Sequence, residues 1–328
     1  MFSLYPEIEP YQTHQISMEE MDNGQQHQIY IEECGNPNGL PIIFLHGGPG
    51  SGCRSQHRRY FDPDTYRIIL FDQRGCGRSL PHGELENNST DFLIADMETI
   101  RQSLNIKRWL IFGGSWGATL ALCYAQRFPE KVMAMILRGV FLGRQQDIDW
   151  VYAEGGASKL FPDAWQQLVD TLPKSEQEKP LLAYHQQLTA TDELHQMAMA
   201  KRLQTWESTI VTLRDHEYKA DPSHETGPLA HSRIQLHYAV NTCFIADHPI
   251  LDNIDTIRHI PTMIIHGRYD IVCPLEQSWQ LYQAWPEAQL AIIPMAGHAA
   301  GEPALINALV KATANMAKRF ETTGLPIA

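Results

Sequence analysis

A mostly parallel central sheet, covered by helices on both faces and carrying an inserted helical cap, is the α/β architecture that this 328-residue sequence predicts. Three observations carry it. Six short apolar runs have the length and composition of buried parallel strands. Helical patterns lie between them, the alternation that a doubly covered sheet requires. From 141 to 257 the strand pattern stops and a stretch rich in Gln, Leu, Trp and His keeps helical spacing, so the core is discontinuous, 1–140 plus 258–328, with 141–257 as a helical cap domain.

Taken in chain order, the first 40 residues, including "HQIYIEECG", predict a hairpin on the sheet edge. Strands follow at 41–46 "PIIFLH", 66–72 "YRIILFD", 109–113 "WLIFG" and 132–139 "VMAMILRG". Two more, 261–267 "PTMIIHG" and 288–294 "AQLAIIP", come after the cap. In "DFLIADMETIRQSL", Leu93, Met97, Ile100 and Leu104 recur at helical steps behind Asp91 as the N-cap. A further helix is expected over Trp116–Arg127.

Composition removes several classes of function. With 26 basic and 38 acidic residues, the formal charge of -12 repels nucleic-acid phosphates and anionic membranes, so neither is expected as a partner. No apolar run approaches the ~20 residues that span a bilayer. The six cysteines are scattered, form no C-x-x-C pair and follow no secretory signal, which points to reduced thiols in a cytoplasm. No H-E-x-x-H or comparable metal-ligand spacing occurs, so neither metal nor cofactor is expected. Oligomeric state is not legible.

The chemistry starts at "GGSWG", where Gly113, Ser115 and Gly117 form G-x-S-x-G between a strand and a helix. Such a turn leaves its serine projecting above the sheet edge as a nucleophile, although the bare motif reads equally well as a glycine-rich turn with a serine cap. A serine hydroxyl needs a histidine base, and the base needs a carboxylate to fix its tautomer. Asp270 in "HGRYDIVCP" and His298 in "PMAGHAAGEP" follow consecutive strands in the order Ser, Asp, His. Backbone donors for the oxyanion are expected from Trp116, next after the serine, and from "HGGPG", by Gly48 or by Gly47.

These motifs, with "DQRGCGRS" at 72–79 and "GGSWGATLALCYAQ" at 113–126, resemble the prolyl iminopeptidases, serine aminopeptidases of the α/β-hydrolase fold. The resemblance extends through "LRGVF", "GASKLFPDAW" and "TWE". It implies Ser115 as nucleophile, Asp270 as orienter and His298 as base, and a cofactor-free release of N-terminal proline from short peptides with a free N-terminus. It also implies that Glu207 binds the substrate's α-amino group, and that Phe141 and Cys273 wall the proline pocket. Read without the resemblance, Glu207 is a solvated helix residue. Three positions depart from the family. Gln235, in "IQLHYA", stands where a second amino-binding glutamate is usual; Ala239 replaces an aromatic; and Val151 stands at a tyrosine position with Tyr152 beside it. Proline selectivity is therefore expected to be relaxed, and a carboxylesterase or amidase of the same fold is the alternative.

Overall fold

The computed structural model describes residues 1–190, 192–211 and 227–323, with side chains to 320. Its chain begins with the edge hairpin, β1 (Gln12–Glu20) antiparallel to β2 (Gln26–Gly35). The β3 (Leu40–Leu45) and β4 (Tyr66–Phe71) strands pair in parallel, and β2 lies antiparallel to β4. Then come α1 (Thr90–Ser103), β5 (Trp109–Gly114), α2 (Trp116–Arg127) and β6 (Val132–Arg138). Five helices follow: α3 (Gln145–Tyr152), α4 (Pro162–Val169), α5 (Pro180–Leu188), α6 (Glu193–Val211) and α7 (Pro228–Val240). The chain returns through β7 (Thr262–Gly267), α8 (Leu275–Ala284), β8 (Gln289–Ile293) and α9 (Pro303–Thr323).

The eight strands lie in the order β1-β2-β4-β3-β5-β6-β7-β8, parallel from β4 onward. Successive side chains of a strand face opposite sides of the sheet, and here both sides are apolar. Along β3, Ile43 and Leu45 join the core under α1 and α2, whereas Ile42 and Phe44 join the core under α9. The first core runs on without a break into α3–α7, through Val151, Trp206 and Tyr238.

The α1 helix starts two residues earlier than its expected cap at Asp91 predicts. Ser89, extended at φ -136°, takes the N-cap position, and Asp91 lies in the first turn, 2.7 Å from Arg127 of α2. An acidic side chain there still complements the helix dipole.

After β3 the chain goes outward to β4, then crosses back to place β5 on the other side of β3. The carboxyl ends of β3 and β5 therefore flank the point where strand order reverses. In open α/β sheets that crevice is where ligands bind.

Candidate active site

Ser115 sits in the one-residue turn between β5 and α2, at φ 57° and ψ -125°. A serine pays in backbone strain for that conformation, which is sparsely populated outside glycine and recurs at functional sites. Its surroundings show why the neighbours are glycine. A β-carbon at Gly117 would collide with the Leu45 carbonyl oxygen, and one at Gly113 would collide with the Gly117 carbonyl. The Ser115 amide donates to the Arg138 carbonyl at 2.9 Å, tying the turn to β6.

Asp270 follows β7 and His298 follows β8, and the two meet: His298 Nδ1 lies 2.7 Å from Asp270 Oδ2. The other carboxylate oxygen accepts the Cys273 amide at 2.9 Å. Burial works to raise the Asp270 pKa, but His298, His266 and that amide together hold it below the usual carboxylate range. An ionised carboxylate on Nδ1 keeps the proton there and leaves Nε2 as the basic atom. Ser115 and His298 line one cavity. Among the bonds of the described residues there is none from Ser115 Oγ to His298; Nε2 instead faces Arg138 Nη1 at 3.4 Å. Such contacts are often long before substrate tightens them.

The loop after β3 packs on the serine, where a β-carbon at Gly47 would stand 3.4 Å from Ser115 Cβ. Gly48 follows at φ 110°, a conformation open to glycine. Trp116 opens α2, where the first amides lack intrahelical partners. Behind the loop lies a support that the motif reading did not assign. His46 Nδ1 lies 2.9 Å from the Gly47 carbonyl, its Nε2 accepts the Gln73 amide, and Gln73 Oε1 accepts Trp116 Nε1 at 2.9 Å. The two sides that frame Ser115 are thus joined through Gln73. The signal was present in "HGGPG" and "DQRG", but only tertiary pairing reveals that those segments touch.

On the helical side, Tyr152 Oη donates to Glu207 Oε1 at 2.8 Å and accepts Gln235 Nε2 at 2.9 Å. Since the tyrosine has one proton and gives it to Glu207, Gln235 must turn its NH₂ to the tyrosine. Among the described residues, Gln235 Oε1 is then left buried without a partner. Burial pushes the Glu207 carboxyl up to about 7, against the lowering bond from Tyr152. The same burial, with Glu207 beside it, drives Tyr152 well above the ordinary tyrosine range.

Val151 and its neighbour Tyr152 both border the cavity. The Val151 carbonyl accepts Trp206 Nε1 at 3.1 Å, and Tyr152, one position on, supplies an aromatic ring. Only the Ala239 wall remains small. Phe141 and Cys273 line the same cavity, and Cys273 is buried beside Ser115. Burial and the neighbouring Asp270 raise its thiol well above the ordinary value, so it is not a thiolate competing with the serine. Among the described residues no three His, Cys, Asp or Glu side chains converge as a metal ion would need.

The cavity measures about 1770 Å³, larger than the ~300–1,000 Å³ common for small-ligand sites. It has room for a peptide rather than a single residue.

The profile of the alpha/beta hydrolase fold matches residues 41–304. The chain is 46% identical over 315 residues to a proline iminopeptidase of Xylella fastidiosa, covering 95% of this chain and 99% of that protein. It is 46% identical over 317 residues to one of Arabidopsis thaliana, covering 96% and 82%. Against that of Neisseria meningitidis serogroup B it is 45% identical over 284 residues, covering 86% and 90%. Solved structures share the fold at lower identity. An esterase of Exiguobacterium antarcticum superposes with a TM-score of 0.55 at 20% identity, covering 91% of this chain and 98% of that one. A meta-cleavage product hydrolase of Pseudomonas fluorescens gives 0.56 at 22%, covering 90% and 95%.

Proposed function

The chain belongs to the proline iminopeptidase family within the α/β-hydrolase fold, and on that premise we propose that it releases N-terminal residues, proline foremost, from short peptides and amino-acid amides. Ser115 attacks the scissile carbonyl while His298 Nε2 takes its proton, with Asp270 holding the ring and stabilising the imidazolium. The amides of Trp116 and Gly48 receive the developing oxyanion. His298 returns the proton to the departing amine, and water then cleaves the acyl-enzyme by the same steps. The helices of 141–257 act as a cap that closes the amino-terminal end of the site. In the cytoplasm, to which we assign the chain, the buried cysteines stay reduced.

One observation carries the reading: Glu207 and Gln235, joined through Tyr152, line the cavity that also holds Ser115 and His298, and Gln235 Oε1 is a buried acceptor with no partner among the described residues. Glu207 Oε2 and Gln235 Oε1 suit the two N–H bonds of a protonated proline nitrogen. A primary ammonium has a third, which this pair leaves unmatched. A carboxylate over the nucleophile also selects a free terminus against an internal peptide bond.

The test compares Pro-, Ala- and Leu-arylamides with an N-acetylated Pro-arylamide and an aryl ester. Free Pro-arylamide should turn over fastest and the acetylated form hardly at all. Ser115→Ala, and separately His298→Ala, should reduce turnover to under about a thousandth, with fluorophosphonate labelling lost in the first. Equal use of blocked and free amides would overturn the aminopeptidase reading; residual activity above about a tenth would overturn the residue assignment.

A further inference from the structure

Hydrolysis of a dipeptide releases an amino acid whose carboxylate is close to the nitrogen that His298 must protonate. That nitrogen has to come within ~3 Å of Nε2. Its residue's carboxyl carbon lies two bonds further, about 2.5 Å away, so the carboxylate oxygens fall within a few ångströms of the base.

Arg138 occupies that neighbourhood. At the carboxyl end of β6 its side chain packs against the elbow, where a β-carbon at Gly114 would stand 2.9 Å from Nε. Nη1 donates to the His298 carbonyl at 2.8 Å and lies 3.4 Å from His298 Nε2. The guanidinium lines the cavity and, among the described residues, forms no ion pair. Asp270, the carboxylate of the site, already spends one oxygen on His298 and the other on the Cys273 amide. Arginine stays protonated at any working pH, and a partly buried charge without a counter-ion is unfavourable. The positive charge is therefore present before substrate arrives and has no ion-pair partner among the described residues.

An aromatic wall continues from it. The Tyr60 and Phe112 rings stack with centroids 5.7 Å apart, Phe44 stacks on Phe112 at 5.5 Å, and Tyr60 Oη donates to the Ala300 carbonyl on the His298 loop. These rings border the cavity and are tied to the His298 loop through the Tyr60–Ala300 bond.

We infer that Arg138 binds the α-carboxylate of the departing residue, with the aromatic wall taking its side chain, so that the enzyme favours dipeptides with a free C-terminus. The inference rests on the aminopeptidase reading. It makes both ends of the substrate charge-recognised: ammonium by Glu207, carboxylate by Arg138.

The experiment measures kcat/KM for Pro-Phe and for Pro-Phe amide in the wild type and in Arg138→Gln and Arg138→Lys. A charged hydrogen bond lost from one substrate only should give the wild type a preference of at least about tenfold for the free acid. Arg138→Gln should bring the ratio near one, chiefly through the free acid, and Arg138→Lys should restore part of it. A wild-type ratio near one, or equal losses on both substrates in Arg138→Gln, overturns the inference and leaves Arg138 as a support of His298. If the variants fail to fold, product inhibition of the wild type decides. Phenylalanine should inhibit Pro-arylamide hydrolysis at about tenfold lower concentration than phenylalanine amide, and equal inhibition overturns the inference. Turnover of an aryl ester with neither dipeptide form cleaved would overturn the aminopeptidase reading, and this inference with it.

Discussion

At Glu207, function and stability pull in opposite directions. Burial raises its carboxyl from the ordinary 4.5 to about 7, so between those values the folded chain holds a proton that the unfolded chain has lost. A group of this kind favours folding at low pH, and that contribution is lost as pH rises from about 4.5 through about 7. Glu207→Gln, which can still accept from Tyr152, is expected to be the more stable form at pH 8 by about 1–3 kcal/mol, the lower end if cavity water solvates the carboxylate. Near pH 4.5 the two should melt together. Thermal melts across pH check this, and a difference that does not change with pH would show that Glu207 carries no raised pKa. The same variant should lose most of its free-amine turnover. At residue scale the sequence made Ser115, Asp270 and His298 legible because each closes a local motif after a strand. Gln73 and Tyr152 were not assigned, because their roles exist only through Trp116, His46, Glu207 and Gln235, residues brought to them by the fold.

Among the elements, α7 carries the residue proposed to meet the amino group beside Glu207. Gln235 and Ala239 lie one helical turn apart and both line the cavity, and Tyr238, which also borders it, meets the Trp116 ring edge-on at 4.8 Å. With that face fixed by packing, Gln235→Glu changes charge without moving the helix. A carboxylate here replaces a neutral acceptor by a charged one, about 1.5–3 against 0.5–1.5 kcal/mol per bond to the ammonium. It also removes the donor to Tyr152 and sets a second carboxylate beside Glu207, which resists joint ionisation. The expected net effect is a several-fold to about tenfold rise in kcat/KM for free-amine substrates, with no gain on an aryl ester. Equal gains on both would show that Gln235 does not meet the amine. Helical spacing over 141–257 covers α7, whose "IQLHYA" faces a core on one side and a cavity on the other, but the roles expected of Gln235 and Ala239 came from resemblance alone.

Across the whole molecule, reversal of strand order at β3 and β5 puts Ser115 and the glycine loop on one crevice, and α3, α6 and α7 wall it from above. The strands were legible because burial on both sheet faces writes continuous apolar runs; the size of the space between sheet and helices was not, since it depends on how far apart packed layers stand. That space sets selectivity. Tyr152 and Phe141 line the cavity with Glu207 and, on the proposed reading, give proline a fitted place, while Ala239 puts a small side chain on the wall of a space of about 1770 Å³. A missing wall weakens rejection of larger side chains without weakening proline's own contacts. One methylene of fit is worth only ~1–3 kcal/mol, so the wild type should prefer Pro- over Leu-arylamide by tens-fold rather than absolutely. Ala239 belongs to the buried core and also borders the cavity, so Ala239→Phe, with folding checked by a thermal melt, should cut Leu-arylamide turnover about tenfold or more while largely sparing Pro-arylamide. Comparing kcat/KM for the two arylamides in both proteins checks the point. If Leu-arylamide is undetectable in the wild type, or if the phenylalanine lowers both substrates alike, the side chain at 239 does not border the residue being released, and selectivity resides in Tyr152 and Phe141.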